Sequence, residues 1–256
     1  MFDLLRLRKK HGKQFIPDIG SAAIRAPFRG FPSLDENKCS GNCSACADIC
    51  PTAAIQTGPL RLDLGACIFC GECARECPTN AIEFSQDYRL ASTSRSDLIV
   101  RPGQNADDYN EISVQVRKEI HSRFGRSLKL RQVSAGGCNG CEYELGASTN
   151  VNFDIGRFGI QYIASPRHAD GLVLTGPVSG NMDAALRDTW KSIPEPKLLI
   201  VVGACGISGG LFGSSEEVNR GFLDETHIDL YIPGCPAHPL TIIHGILDFL
   251  GKDKHG

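Results

Sequence analysis

Twelve cysteines in 256 residues constrain this chain more than any other feature. Eight lie between Cys39 and Cys77, and the other four are Cys138, Cys141, Cys205 and Cys235. An even count is compatible with a disulfide framework, but that reading needs an oxidising compartment and an export signal. The start, Met1-Phe-Asp-Leu-Leu-Arg-Leu-Arg-Lys-Lys10, puts its charges after a very short apolar patch and has no small-residue cleavage site, the reverse of a secretory peptide. The thiols are therefore expected to be made and kept in a reducing cytoplasm. The rest of the composition is ordinary for a soluble globular protein, with 41% hydrophobic residues, 22% charged residues and a formal net charge of -2, and it offers no footprint for nucleic acid. The best apolar runs, Leu198–Val202 and 240–250, are short of the roughly 18 residues of a spanning helix, so the chain is not expected to cross a membrane by itself. Its length allows two modest domains.

The first block contains an internal repeat. Cys43, Cys46 and Cys50 recur 27 residues later as Cys70, Cys73 and Cys77, and Pro51-Thr-Ala-Ala-Ile55 is answered by Pro78-Thr-Asn-Ala-Ile82. Each copy is expected to place one isoleucine in a shared small core. The second copy, Cys67-Ile-Phe-Cys70-Gly-Glu-Cys73-Ala-Arg-Glu-Cys77-Pro78, matches the C-x2-C-x2-C-x3-C-P run of bacterial two-cluster ferredoxins, in which three thiolates hold one cluster and the fourth reaches the other. The first copy, Cys39-Ser-Gly-Asn-Cys43-Ser-Ala-Cys46-Ala-Asp-Ile-Cys50-Pro51, has one extra residue in its first gap, which a glycine-containing loop absorbs. Cross-ligation assigns Cys39, Cys43, Cys46 and Cys77 to one cluster, and Cys67, Cys70, Cys73 and Cys50 to the other. Structural zinc also uses four thiolates, but zinc modules require neither the triple-cysteine run nor the C-P endings, so iron is the favoured metal.

Residues 85–127 are polar, free of cysteine and carry the turn signal Arg101-Pro-Gly-Gln-Asn105, as a linker would. Within them Ile112, Val116, Ile120 and Phe124 recur every four residues and predict one amphipathic helix. Beyond residue 127, short apolar runs at 128–133, 160–163, 171–174, 198–202 and 230–232 suit buried parallel strands, with helices expected at 182–190, 216–222 and 239–250. The expected fold is an α+β ferredoxin-like two-cluster domain followed by an α/β open parallel-sheet, flavodoxin-like domain. Ligands of such sheets sit beyond the carboxyl ends of the strands, and Cys138, Cys205 and Cys235 follow three of those ends. Cys138, Cys141, Cys205 and Cys235 thus supply four thiolates for a third cubane, although Cys205 and Cys235 also admit a reading as ordinary buried thiols. The glycines around them let backbone amides approach the cluster sulfides and raise its potential. Three 4Fe-4S clusters leave no cysteine unassigned.

With these residues the chain resembles a fusion of two subunits of formate hydrogenlyase and related energy-converting NiFe hydrogenases, within the complex I superfamily. Residues 1–90, including Phe28-Arg-Gly-Phe-Pro32, look like a polyferredoxin subunit. Residues 125–251 look like the hydrogenase small subunit, which is related to the complex I 20 kDa subunit, through Cys138-Asn-Gly-Cys141-Glu142, Arg157-Phe-Gly159, Ser165-Pro-Arg-His-Ala-Asp170, Thr175-Gly-Pro177, Gly203-Ala-Cys205-Gly206 and Pro233-Gly-Cys235-Pro236. The resemblance divides the chain into an N-terminal docking segment (1–33), a two-cluster domain (34–90), a linker with a helix (91–126) and the small-subunit-like domain (127–256). It implies an electron-transfer subunit of an oxidoreductase complex, peripheral on the cytoplasmic side of the inner membrane, with no catalytic residue of its own. Its implied partners are a NiFe large subunit or the homologous 49 kDa-like subunit, membrane subunits, and a donor or acceptor such as formate dehydrogenase or ferredoxin. Complex I homologues carry adjacent cysteines at the first ligand position, whereas this chain has Cys138-x-x-Cys141, which favours the hydrogenase branch over a quinone oxidoreductase; a free-standing carrier is a third reading. Ala237 departs from the second proline usual in relatives.

Some further residues carry two readings each. Arg167 and His168 are candidates for tuning a reduced cluster or for pairing with a carboxylate or partner. Glu142 and Glu144 are candidates for passing protons or for capping a helix. His238 is read first as packing. Leu4, Leu5 and Leu7 among Arg6, Arg8, Lys9 and Lys10 suit a membrane surface or a membrane subunit. Gly206 to Gly213 lacks a Lys-Ser/Thr ending, so no nucleotide phosphate loop is expected.

Overall fold

A computed structural model describes residues 2–12, 14–39, 42–114 and 118–252. Helix α1 (Phe2–His11) has no buried residue. The lobe that follows is built from short antiparallel strands. β1 (Pro32–Leu34) pairs with β4 (Ile82–Phe84), placing Leu34 opposite Ile82, while β2 (Ile55–Gln56), β3 (Arg61–Asp63) and β5 (Ile99–Val100) form a second small sheet. The short helices α2 (Ala45–Asp48) and α3 (Glu72–Glu76) pack together. The repeat reaches the backbone: Ala53 and Asn80 occupy equivalent positions and both take left-handed conformations, with φ of 50° and 51°. Such a conformation costs an ordinary L residue about 1–2 kcal/mol, so something local must hold Ala53 there. Ile55 and Ile82 are 3% and 2% exposed and share one core, as the repeat predicts.

The remaining strands form one parallel sheet. β6 (Leu128–Ser134), β7 (Ile160–Tyr162), β8 (Gly171–Thr175), β9 (Leu198–Val202) and β10 (Leu230–Ile232) stand in the order β10-β9-β8-β6-β7. Counted from β6, this is the 2-1-3-4-5 order of flavodoxin-like doubly wound sheets. Every position of β8 and β9 is buried, as expected of central strands covered on both faces. The other helices are α4 (Ala106–Ser113), α5 (Lys118–Phe124), α6 (Gly140–Ala147), α7 (Gly180–Ser192), α8 (Ala204–Ser208), α9 (Gly221–Glu225) and α10 (Pro239–Phe249).

The two-residue period of the strands sorts their side chains between two cores. Val173, Ile200, Val202 and Ile232 join α10 through Ile242, Ile243 and Ile246. Leu172, Leu174, Leu199 and Val201 join Leu186 of α7, Phe222 of α9 and, in the same cluster, Leu62, Leu64 and Leu98 of the N-terminal lobe. The two lobes therefore share one apolar core. Residues between them are tied to both: Val100 pairs with Leu62 in β3, and Ser92 bridges Tyr231 in β10.

Two expected helices differ from those found. The single helix through Ile112, Val116, Ile120 and Phe124 is divided, because α4 ends at Ser113 and Val114 is extended, with φ of -116° and ψ of 111°. Ile112 is exposed, whereas Ile120 and Phe124 are buried against the α10 side of the sheet; Val116 lies outside the described residues. The helix expected at 216–222 begins only at Gly221. Glu217 and Val218 are instead engaged by α7: the Gly180 amide donates to the Glu217 carbonyl at 2.8 Å and Val218 bridges Ser179. No helix among the described residues is long and apolar enough to cross a membrane.

Candidate metal centres

The repeat folds its cysteines into two crossed sets. Cys39, Cys43, Cys46 and Cys77 line one small cavity together with Pro78 and Thr79. Cys50, Cys67, Cys70 and Cys73 line another, walled by Ile55, Leu62 and Phe84. α2 carries Cys46 and α3 carries Cys73, so the packing of these helices sets the two cavities side by side. The Pro-Thr turns after Cys50 and Cys77 act alike. The Ala54 amide donates to Cys50 Sγ at 3.3 Å and the Ala81 amide to Cys77 Sγ at 3.2 Å, with Thr52 and Thr79 hydroxyls 3.8 and 3.6 Å from the same sulfurs. That bond explains the left-handed residue inside each turn, which aims the next amide back at sulfur. The loop bearing the extra residue of the first copy, 40–41, lies outside the described residues.

The third set gathers at the carboxyl edge of the parallel sheet. Cys138 and Cys141 follow β6, Cys205 follows β9 and Cys235 follows β10, so the switch between β6 and β8 and two neighbouring loops face one place. Charge on Cys235 and Cys205 raises Cys141, charge on Cys235 and Cys138 raises Cys205, and charge on Cys138 raises Cys235, each after the larger effect of burial. Two loop bonds hold the set: Gly203 donates to the Ile232 carbonyl at 2.8 Å and Ala204 to the Gly234 carbonyl at 2.9 Å, linking the Cys205 and Cys235 loops. The Ala237 backbone lies near Cys141 and lowers its thiol against the larger effect of burial. A Cβ placed on Gly203 would lie 2.5 Å from Cys141 Sγ, so the sulfur occupies space that only glycine leaves free.

The electrostatics of these sets ask for a cation. Burial, reinforced by neighbouring sulfurs, pushes the thiols of Cys67 and Cys141 up to about 12 and those of Cys73 and Cys205 up to about 11. Cys46 and Cys235 are raised for the same reasons. Burial also raises Cys77, but bonds from Ala81 and Thr79 outweigh it and leave that thiol below its usual value. Four sulfurs so placed become thiolates together only around positive charge, which displaces their protons. Among the described residues no group of three or more His, Cys, Asp or Glu is drawn in tightly enough for one metal ion. The first two sets each surround a space, as the ligands of a polynuclear core would.

Neighbouring candidates separate cleanly. Glu142 accepts from the Ser134 hydroxyl and from Thr175 Oγ1 at 2.7 Å, which ties it to the ends of β6 and β8. Burial pushes Glu144 up toward its neutral form. His238 caps α10 by accepting the Leu240 amide at 3.1 Å through Nδ1, and it packs between Phe28 and Phe153 at 5.3 and 5.9 Å, the packing role read first. Arg167 and His168 occupy a 3-10 turn that leads into the amino end of β8, opposite the cysteine loops, so they do not face the third set. Sequence reasoning missed the contribution of Thr52, Ala54, Thr79 and Ala81, although the repeated Pro-Thr-x-Ala was its visible signal.

Comparison with known proteins matches two regions of the chain. The family "NADH ubiquinone oxidoreductase, 20 Kd subunit" matches residues 138–249, and the 4Fe-4S binding domain family matches residues 60–83. Formate hydrogenlyase subunit 7 of Escherichia coli is 40% identical over 142 residues, 56% of this chain and 56% of that protein, so the chain spans little more than half of that relative. A Pyrococcus furiosus protein named "Probable membrane-bound hydrogenase subunit mbhJ" is 38% identical over 143 residues, covering 53% of this chain and 86% of its own length. Among solved structures, a chain of the membrane-bound sulfane sulfur reductase, an archaeal respiratory membrane complex, aligns with a TM-score of 0.46 and 26% identity over 54% of this chain and 76% of that one. This chain belongs to the NADH ubiquinone oxidoreductase 20 Kd subunit family, carrying a 4Fe-4S binding domain ahead of the family region.

Proposed function

We propose that this chain is the iron-sulfur electron-transfer subunit of a membrane-associated NiFe hydrogenase of formate-hydrogenlyase type, with two 4Fe-4S clusters in a ferredoxin-like N-terminal lobe and a third at the edge of the parallel sheet. The observation that carries this reading is the gathering of the twelve cysteines into three sets of four, with none left over. Cys39, Cys43, Cys46 and Cys77 would hold the first cluster; Cys50, Cys67, Cys70 and Cys73 the second; Cys138, Cys141, Cys205 and Cys235 the third. Reversible one-electron transfer is the chemistry that such clusters supply when bound. The protein's part is to fix their order, to donate amides from Ala54 and Ala81 to ligand sulfur, and to bury thiolates such as those of Cys46, Cys67 and Cys73, all of which set potential.

Cys138 and Cys235 are exposed, in keeping with a third site that meets another polypeptide. That polypeptide is proposed to be the NiFe large subunit, because every cysteine here is committed and nickel would need further pairs. Membrane subunits and a donor such as formate dehydrogenase or ferredoxin complete the assembly, on the cytoplasmic face of the membrane. A quinone-reducing partner is the second reading, favoured by the printed name of the matching family. Anaerobically isolated protein is expected to contain about twelve irons and about twelve acid-labile sulfides per chain, and zinc in their place would remove the electron-transfer reading. Anaerobic capture with metal analysis then tests the partner. A co-purifying nickel protein supports the hydrogenase assignment, a nickel-free quinone-reactive assembly replaces it with the second reading, and a functional monomer makes the chain a free-standing carrier.

A further inference from the structure

The Phe28-Arg-Gly-Phe-Pro32 segment has no role in holding a cluster, yet it is built tightly into the seam between the lobes. The Gly30 amide donates to the Ser85 carbonyl at 2.7 Å and the Phe31 amide to the Asp87 carbonyl at 2.9 Å. A Cβ on Gly30 would lie 2.0 Å from the Asp87 carbonyl oxygen, so the backbone approach admits only glycine. On either side, Phe28 packs on His238 and Phe31 packs on Tyr109, with ring centroids 5.3 and 5.0 Å apart. Anchored in this way, the segment lays the Arg29 side chain across the loop that carries Cys70. Arg29 Nη1 donates to the Phe69 carbonyl at 3.3 Å, and a Cβ on Gly71 would lie 2.6 Å from Arg29 Nε. Phe69 and Gly71, which flank Cys70, both have positive φ, so the guanidinium braces a bend of the ligand loop.

The same side chain lines a cavity of about 240 Å³ between the Cys70 loop and the Cys235 loop. Arg29, Ile68 and Phe69 line it together with Glu144, Cys235 and His238. Arg29 carries the guanidinium charge of that lining and Glu144 its one carboxyl. A cation there acts most strongly on the centre whose ligand loop it touches, and less on the Cys39 centre farther away.

We propose that Arg29 is a positioning residue for electron transfer, bracing the Cys70 loop and favouring the reduced, more negative state of the Cys50/Cys67/Cys70/Cys73 centre over that of the Cys39/Cys43/Cys46/Cys77 centre, so that an electron rests beside the third site. This rests on the iron-sulfur function proposed above. Because Arg29 is exposed, solvent screens the effect, and a change of about three- to tenfold in the ratio of reduced to oxidised centre is expected, where tenfold equals about 59 mV for one electron.

Potentiometric EPR titration of the full chain, purified anaerobically, tests it in wild type, Arg29→Gln and Arg29→Lys, with the affected signal assigned by its loss in Cys73→Ala. Arg29→Gln is expected to lower the reduced fraction of that centre at a fixed potential about three- to tenfold, with the Cys39 centre unmoved and Arg29→Lys within about twofold of wild type. An unmoved potential in Arg29→Gln, an equal shift in Arg29→Lys, or loss of that centre's iron in Arg29→Gln would each overturn the role, the last by making Arg29 merely structural. A wild-type chain without iron-sulfur signals would remove the proposed function as well, whereas intact signals with unmoved potentials remove only the role of Arg29.

Discussion

Gly203→Ala is expected to empty the third centre and leave the other two loaded, so that iron falls from about twelve to about eight per chain. Two independent costs fall on this one methyl group. Gly203 has φ of 87° and ψ of 154°, a region that is essentially reserved for glycine and costs another residue about 1–3 kcal/mol. The added Cβ would also stand 2.5 Å from Cys141 Sγ and 3.5 Å from the Gly234 carbonyl oxygen, against the sulfur and against the loop that carries Cys235. Retreat is blocked, since the Gly203 and Ala204 amides are bonded to the Ile232 and Gly234 carbonyls at the end of β10. The sulfur must therefore move, and a cubane ligand that is displaced no longer closes the site. Gly146→Ala is the control: in α6, nothing lies within 4 Å of its added Cβ, and alanine suits a helix interior better than glycine. Iron and acid-labile sulfide per chain, with EPR of the reduced protein, separate the two variants. Full iron in Gly203→Ala would mean that Cys141 is not a ligand in this arrangement.

The sheet was the most legible part of the chain, for a physical reason. Leu198–Val202 and Gly171–Thr175 are short apolar runs because both faces of their strands are covered, and nothing but a buried strand of that length suits such a run. The position of each later cysteine just past a strand then pointed to one edge, and the strand order brings those loops together. The cysteine spacing suggested a crossed grouping of the first eight thiols by analogy with two-cluster ferredoxins, and Cys39, Cys43, Cys46 and Cys77 line one cavity while Cys50, Cys67, Cys70 and Cys73 line another.

What the sequence did not disclose depends on contacts distant along the chain. Ile112, Ile120 and Phe124 obey a helical period, but the period does not register that Val114 turns extended and that Ser113 accepts the Thr93 amide at 2.9 Å. Residues 216–220 read as helix until α7 takes their backbone groups. Arg29 is the plainest case. Its neighbours in sequence announce a segment of some specificity, but its contact with Phe69 spans 40 residues, and no local pattern encodes which carbonyl it finds.

Cys77→Ser is expected to disturb the centre built from Cys39, Cys43 and Cys46 while leaving the one built from Cys67, Cys70 and Cys73 intact, although Cys77 is only four residues from Cys73. The crossing follows from the chain path. α3 ends at Glu76, and Cys77 is extended, with φ of -73° and ψ of 112°, so the sulfur leaves the helix that presents Cys73 and enters the neighbouring cavity. Negative charge on Cys77 and Cys39 raises the Cys46 thiol after the larger effect of burial, whereas Cys73 is raised by burial and then by Cys50 and Cys70. Cys50→Ser should give the mirror result, since Cys50 lines the cavity of Cys67, Cys70 and Cys73. Serine keeps the volume but offers a harder, more basic oxygen, and a cluster either loses an iron or shifts its signal when one thiolate is so replaced. EPR of the two single variants, each compared with wild type at equal iron loading, gives two complementary losses if the sets are crossed. Were both variants to strike the centre nearest in sequence, Cys77 with Cys73 and Cys50 with Cys46, the ligands would be uncrossed and each half of the repeat would hold its own metal.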